Sequence, residues 1–423
     1  MEILNRDSKY VWHPFTPLKG APELIPLKSA RGALLHTMDD RIIIDAVSSW
    51  WVNIHGHSHP AIAEAMYQQA LTMEHVIFAG FTHEPAVKLA ESVIGLLPEG
   101  QAKAFYSDDG STSVEVGLKM AIQYWNNQGT PKKKVIAIDG AYHGDTFGAM
   151  AVGERGVFNE VFHPFLFDVD YVPFPTEANW EEVLQKFEQM VSDPEAGVFI
   201  FEPLVQGASG MRMYDSIKLN QLMRMARDHG LVLIADEVMT GFGRTGTWFA
   251  THQTEEKADI YCLSKGLTGG TLALGMTTCN QKIVEVFDSS DTSKTFFHGH
   301  SFTANPVACA AANASFELLT HPDCRKNLDR IILHHEGFRK ELVDHPKVRT
   351  VRQCGTIIAM EIDTSGETSY FNKSRNQIYD FFIQRGVLLR PLGNVVYILP
   401  PYVITDEELE KVYEAIREFL VKF

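Results

Sequence analysis

Cysteine is scarce in this chain. Five cysteines occur in 423 residues (Cys262, Cys279, Cys309, Cys324 and Cys354), and no two form a CxxC pair. An odd, scattered set argues against a disulfide framework and a cysteine-built zinc site, and it favours a reducing compartment. Long apolar runs are missing too: no stretch reaches the roughly 18 apolar residues that a bilayer-crossing helix needs. The N-terminal MEILNRDSKYVWHPF lacks both the apolar core of a secretory signal and the Arg-rich pattern of an organellar one. A cytoplasmic protein is expected. Positive charge is in the minority, with 38 Lys plus Arg against 53 Asp plus Glu and a net charge of −15. That balance argues against nucleic acid or an anionic membrane as partner and leaves small molecules.

The patterning that is present points to an α/β protein. Residues 1–60 carry short strand-like runs, GALLHT and RIIIDAVSS, and are expected to be the N-terminal segment of a small domain. Over 61–320, apolar runs (KAFYSD, KVIAIDG, AGVFIFEP, LVLIADE) alternate with helical stretches such as SVEVGLKMAIQYW. Runs rich in Val, Ile and Leu between helices predict a mainly parallel sheet covered on both faces, in a large domain. Over 321–423 the rhythm changes: helices over 325–343, 376–385 and 406–422 enclose GTIIAMEID, GVLLRP and NVVYILPP. These predict a smaller α+β domain.

Two motifs invite readings that the surrounding residues oppose. HGHSHP, with His55, His57 and His59 at alternate positions, resembles a metal site and hence a hydrolase. Alternate residues share a face only on a strand, and Pro60 with the helix after it indicates a loop; no metal is expected. GFGRTG, from Gly241 to Gly246, is a literal GxGxxG after an apolar strand and would suit a nicotinamide dehydrogenase. Asp236 and Glu237 precede it, where they would repel a pyrophosphate, and TWFATHQ after it does not open a helix.

A different chemistry fits better. Asp236 closes LVLIADE, at the rim where α/β folds bind ligands. Lys265 follows DIYCL, one strand–loop–strand excursion later. An Asp and a Lys on neighbouring strand ends are what pyridoxal 5′-phosphate requires: the lysine forms a Schiff base with the aldehyde, and the Asp pairs with the pyridinium nitrogen. Gly110-Ser111-Thr112, between a strand and a helix, offers free N–H groups and a helix dipole to the phosphate. A plain N-cap by Ser111 is the alternative use of that stretch. Tyr142, in GAYHGDT, lies at another strand end and would stack on the ring.

LVLIADEVMTGFGRTG followed by LSKGLTGG resembles the class III pyridoxal-phosphate aminotransferases of fold type I. WHPFTP, SSWWVNIHGHSHP, EPLVQGASGMRMY, HGHSFTANPVACAAANAS and RPLGNVVYILPPY resemble, more narrowly, the branch that acts on 8-amino-7-oxononanoate. The resemblance runs from about Tyr10 to Tyr402. It implies a homodimer with shared active sites, transaminating that keto acid to 7,8-diaminononanoate in biotin biosynthesis with S-adenosylmethionine as donor. It implies Lys265 as the Schiff-base lysine and proton shuttle, Asp236 as the pyridinium partner and Glu202 as its support. Gly110 and Ser111 would hold the phosphate, Tyr142 would stack on the ring, and Arg390 would pair with the substrate carboxylate. Trp50, Trp51, Phe15, Arg244 and Tyr397 would belong to the substrate site. Gly299, His300 and Ser301 would reach the cofactor phosphate of the partner subunit. Two positions depart from the pattern. Phe15 stands where the branch commonly has Tyr; it keeps the stacking face and loses a hydroxyl linked to donor recognition, so another donor such as lysine, or another ω-amine, stays open. His300-Ser301 replaces Pro-Thr, and Ser301 retains the hydroxyl.

Overall fold

The run Ala196–Phe201 is buried at every residue, because it lies in the middle of a sheet with both faces covered. The computed structural model describes residues 2–156, 159–364 and 374–422. Its strands, in chain order, begin with β1 (Leu27–Arg31), β2 (Leu34–Thr37) and β3 (Ile42–Asp45). Next come β4 (Gln101–Ser107), β5 (Lys134–Ile138), β6 (Asp170–Val172) and β7 (Ala196–Phe201), then a short hairpin of β8 (Val205–Gln206) and β9 (Arg212–Met213). β10 (Val232–Asp236), β11 (Ile260–Leu263) and β12 (Gly275–Asn280) follow, and then β13 (Val348–Cys354), β14 (Ile357–Ile362), β15 (Val387–Leu388) and β16 (Val395–Ile398).

The central sheet has seven strands in the order β4-β12-β11-β10-β7-β5-β6. β11, β10, β7, β5 and β6 run parallel, as the alternation of apolar runs and helices predicts. β12 is antiparallel to both of its neighbours, β11 and β4. Its sequence, GMTTCN, carries too little branched apolar character to announce a buried strand. Two reversals restore direction, so β4 ends at the same edge as the parallel strands.

Side-chain alternation divides the core. Phe199, Phe201, Leu233, Ala235, Tyr261 and Leu263 pack on one face with Phe187, Leu219 and Leu222 from the helices Trp180–Val191 and Ser216–Asp228. Val198, Ile200, Val232, Ile234 and Ile260 pack on the other, under the helix Gly110–Asn127. The period of two thus puts every apolar residue of β7 and β10 to use.

The chain ends depart from the expected rhythm. RIIIDAVSS does not stay extended: β3 stops at Asp45 and the backbone turns. GVLLRP and NVVYILPP do not share a sheet. β15 pairs parallel with β3, Leu388 opposite Asp45, whereas β16 joins β14 and β13 in a separate antiparallel sheet. The open edge of β3 offers unpaired N–H and C=O groups, which the short β15 segment satisfies. The last helix, Asp406–Lys422, has the predicted bounds.

Phe199 has no exposed surface and its ring lies 4.8 Å from Phe187 and 5.1 Å from Phe201. Phe199→Ala is expected to cost about 3–5 kcal/mol, read as a lowered thermal midpoint. A midpoint equal to that of the unaltered protein would contradict this account of the core.

Candidate active site

β4, β5, β7, β10 and β11 finish at one edge of the sheet, and each leads to a residue singled out in the sequence: Gly110, Tyr142, Glu202, Asp236 and Lys265. Above that edge lies a cavity of about 770 Å³ walled by Lys265, Tyr142, Trp50, Trp51, Phe15 and Asp145, among others.

Lys265 follows β11 and opens a single 3₁₀ turn that ends in left-handed Gly269. Its own φ is +46°, a conformation that L-residues adopt at a cost. The amine lies 4.6 Å from the centroid of the Trp51 ring. Burial lowers its pKa from 10.5 to about 8; the Asp236 and Glu202 carboxylates oppose the fall and Arg244 adds to it. An amine so poised is both a nucleophile and a base near neutral pH.

Each carboxylate has its own partners. Asp236 is 4% exposed and accepts the Val238 N–H at 3.0 Å. Its second oxygen lies 2.7 Å from Nδ1 of buried His143, and an ionised carboxylate only accepts, which assigns the proton to that nitrogen. Glu202 accepts the N–H groups of Tyr142 at 2.9 Å and Gly207 at 3.0 Å. Burial pushes the Glu202 carboxyl up to about 7, with His143 pulling it down and Asp236 pushing it further up. Burial first, and then the Asp145 carboxylate, raise the Tyr142 phenol.

The helix Gly110–Asn127 starts beside these groups. Its cap is Asp109, not Ser111: the Asp109 side chain accepts the Thr112 N–H at 2.8 Å, and the Thr112 hydroxyl accepts the Asp109 N–H at 3.1 Å. The first N–H groups of any helix point out of its end, and those of Gly110 and Ser111 stand here. Ser111 Oγ accepts the Asp145 N–H at 3.1 Å. A Cβ on Gly144 would fall 2.1 Å from that oxygen, so only glycine lets the two loops approach. These residues fit pyridoxal phosphate: an amine for the aldehyde, an acceptor for the ring nitrogen, and amides with a hydroxyl at a helix start for the phosphate.

Trp50 divides the site. The Phe15 ring meets it edge-on at 5.5 Å, and the Arg390 guanidinium stacks on it at 4.4 Å. Arg390 does not line the lysine cavity. With Phe15, Trp50, His13, Arg375 and Tyr379 it walls an adjoining cavity of about 530 Å³. Arg244 and Tyr397 lie behind the tryptophans, each only 1% exposed, and are not among the residues that wall these two cavities. Arg244 donates to Pro400 O at 2.7 Å and Trp51 O at 3.4 Å, and Tyr397 OH accepts from Trp51 Nε1 at 2.9 Å. Arg244 is thus held by backbone carbonyls, and Tyr397 by the Trp51 side chain.

Gly299 and Ser301 are exposed and His300 half-buried, and none of them lines either cavity. The segment packs along the helix Gly110–Asn127, where the Lys119 amine meets His298 Nδ1 at 2.9 Å. The histidines of HGHSHP take different partners: His55 bonds Ser315 at 3.1 Å with the His59 ring edge-on at 6.4 Å, and His57 bonds Asp45 at 2.9 Å. His59 precedes the helix Pro60–Thr72 without a side-chain cap. Burial, then the charge of His59, lower the His55 pKa to about 3. GFGRTG opens no helix; buried Phe242 and Arg244 fill the loop. His143 and Asp145 also belong to the site, and nothing in GAYHGDT itself says which side chain faces Asp236 or the cavity.

The family model described as Aminotransferase class-III matches residues 17–420. The chain is 48% identical over 419 residues to the adenosylmethionine-8-amino-7-oxononanoate aminotransferase of Synechococcus elongatus, covering 97% of this chain and 98% of that protein. It is 38% identical to the protein of the same name from Geobacter sulfurreducens, covering 96% and 94%. The crystal structure of that aminotransferase from Methanocaldococcus jannaschii superposes with a TM-score of 0.93 at 33% identity, covering 99% of both chains. With the family model matching nearly the whole length, and relatives this similar over as much of it, the chain belongs to the class-III aminotransferases.

Proposed function

We propose that the chain is a pyridoxal-phosphate-dependent transaminase that converts 8-amino-7-oxononanoate to 7,8-diaminononanoate in biotin biosynthesis, with S-adenosylmethionine as amino donor. The observation that carries this reading is the meeting of the Lys265 amine with the Asp236 and Glu202 carboxylates at adjacent strand ends, under an aromatic cavity. The names of the curated relatives supply the substrate and donor.

Bound pyridoxal phosphate supplies an electron sink that acidifies the proton on an amine-bearing carbon. Asp236, held by His143, would accept from the ring nitrogen and favour its protonated form. Tyr142 would pack against the ring, Glu202 would support the site from β7, and Gly110 with Ser111 would hold the phosphate. Lys265 would hold the aldehyde, and its amine would serve as the base that moves the proton of the amine-bearing carbon. Arg390 pairs with the substrate carboxylate beyond Trp50, which sets the reach from carboxylate to keto group. Trp50, Trp51 and Phe15 exclude water from the apolar chain, and Arg244 and Tyr397, both bonded to Trp51, belong to the same substrate site.

The assembly proposed is a homodimer in which Gly299, His300 and Ser301 reach the phosphate site of the partner subunit. Exposed Phe297 and Phe302, flanking those polar residues, support a covered surface there. The division into a small domain from 1–60 and 321–423 around a large domain at 61–320 is supported by the pairing of β15 with β3. Among the described residues no helix is long and apolar enough to cross a membrane. A cytoplasmic setting is supported by five unpaired cysteines, four of them buried.

The absorbance of the purified protein before and after addition of adenosylmethionine tests the reading. The visible band of bound cofactor is expected to fall as a near-ultraviolet band rises. A response to lysine but not to adenosylmethionine would overturn the donor, in line with Phe15; no visible band even after added cofactor would overturn the activity. The Lys265 amine makes a second prediction. A pKa of about 8 leaves it neutral above that pH, so cofactor-free protein is expected to capture pyridoxal phosphate about tenfold faster per pH unit up to pH 8, then level off. A rate still climbing beyond pH 9.5 would contradict that environment. For Arg390→Ala, KM for the keto acid is expected to rise about tenfold or more while KM for the donor changes less; equal effects on both would contradict the carboxylate role.

A further inference from the structure

The turn that presents the two tryptophans runs through four consecutive non-glycine residues at positive φ: Ser48 at 50°, Ser49 at 57°, Trp50 at 133° and Trp51 at 71°. Backbone of this kind persists only where its surroundings over-determine it. The determining group is Asp45, the last residue of β3, whose side chain has no exposed surface. One carboxylate oxygen accepts the N–H groups of Val47 at 3.2 Å and Ser49 at 2.9 Å. The other accepts the Ser49 hydroxyl at 2.8 Å and pairs with His57 Nε2 at 2.9 Å.

His57 is fixed in its turn. The Asn53 side-chain amide lies 3.0 Å from Nδ1, which leaves Nε2 to carry the proton toward Asp45. The His57 backbone is tied to Gly32 by two hydrogen bonds, at 2.8 and 3.1 Å. On the far side, the Ser48 hydroxyl donates to Leu399 O at 2.8 Å. Burial raises the Asp45 carboxyl, but His57 and the Ser49 bonds outweigh it and hold the group below its ordinary value. The turn is therefore built on an ionised acceptor, and the central histidine of HGHSHP keeps that acceptor in place.

We infer that Asp45 and His57 are positioning residues for substrate recognition. They fold the Ser48–Trp51 turn so that Trp51 faces the lysine amine and Trp50 separates the two cavities with Arg390 stacked against it. The inference rests on the proposed role of the tryptophan wall in binding substrate. Neither residue touches either cavity, so their effect passes through the indole rings.

The test compares Asp45→Ala, Asp45→Asn, His57→Gln and Trp50→Ala by KM and kcat for the keto acid, with bound cofactor per chain measured alongside. Asp45→Ala is expected to raise KM about tenfold or more with cofactor content unchanged. Asp45→Asn retains an oxygen for the Val47 and Ser49 N–H groups but turns an amide N–H toward His57 Nε2–H, and is expected to recover part of that loss. His57→Gln can still donate one hydrogen bond and is expected to raise KM about threefold. A KM for Asp45→Ala within about twofold of normal, while Trp50→Ala raises it, would overturn the inference alone. KM, kcat and cofactor content failing together, without rescue by Asn, would reduce Asp45 to a general structural role and overturn it too. If Trp50→Ala leaves KM unchanged, the wall itself is misassigned and both readings fall. Should Asp45→Ala yield no folded protein, His57→Gln decides by the same KM criterion.

Discussion

A lysine amine held out of water beside two carboxylates is the constraint on which the rest of the structure depends. Burial lowers the Lys265 pKa, and the Asp236 and Glu202 carboxylates raise it. Opposed, they leave it near 8. The balance holds because neither carboxylate depends on the lysine. Asp236 has His143 and the Val238 N–H, and Glu202 has the Tyr142 and Gly207 N–H groups. Satisfied this way, they supply a field without a salt bridge that would immobilise the amine. The sheet provides the dryness, since β7, β10 and β11 are covered on both faces up to the edge where these groups emerge.

The wall opposite is assembled from the two ends of the chain. Trp51 is fixed by Tyr397 on β16 and by Arg244, and Ser48 by Leu399. β15 lies on β3 and leads directly to Arg390. The guanidinium on the indole face is partly ordered before any anion arrives, which reduces what binding must immobilise. An apolar cavity on one side of Trp50 and an arginine-bearing one on the other suits a ligand with a reactive centre, an apolar chain and a terminal anion, the outline of the keto acid proposed as substrate.

What the sequence reveals about this arrangement depends on how local each signal is. β7 and β10 are readable because their runs are apolar up to the last residue of β10, and Asp236 and Lys265 because one closes such a run and the other follows one. β12 is not, since GMTTCN owes its burial to its neighbours. The exchange of β15 into the N-terminal sheet is invisible for the same reason: a two-residue pairing between positions more than 300 apart leaves no periodicity. Family resemblance assigns Arg244 and Tyr397 to the substrate site, and the fold adds that both bond to Trp51. The contact of His143 with Asp236 is set by the path of the chain after β5, which the local sequence does not reveal.

The strained residues follow the same logic. Among the described residues, seven of the non-glycine positions at positive φ (Phe15, Ser48 to Trp51, Phe242 and Lys265) lie in or against the site, and each such conformation costs on the order of 1–3 kcal/mol. Glycine at Ser49 or Lys265 would relax the backbone and remove the hydroxyl or amine that the angle serves. The cost is therefore tied to the chemistry: angles that aim an amine at a cavity and an indole across it are not those a free chain selects. The two-sided core and the Asp45 and Arg244 bonding holds them there. Stability generated in the sheet is spent at its edge, so substitutions that relax the site are apt to firm the fold while loosening the cavity.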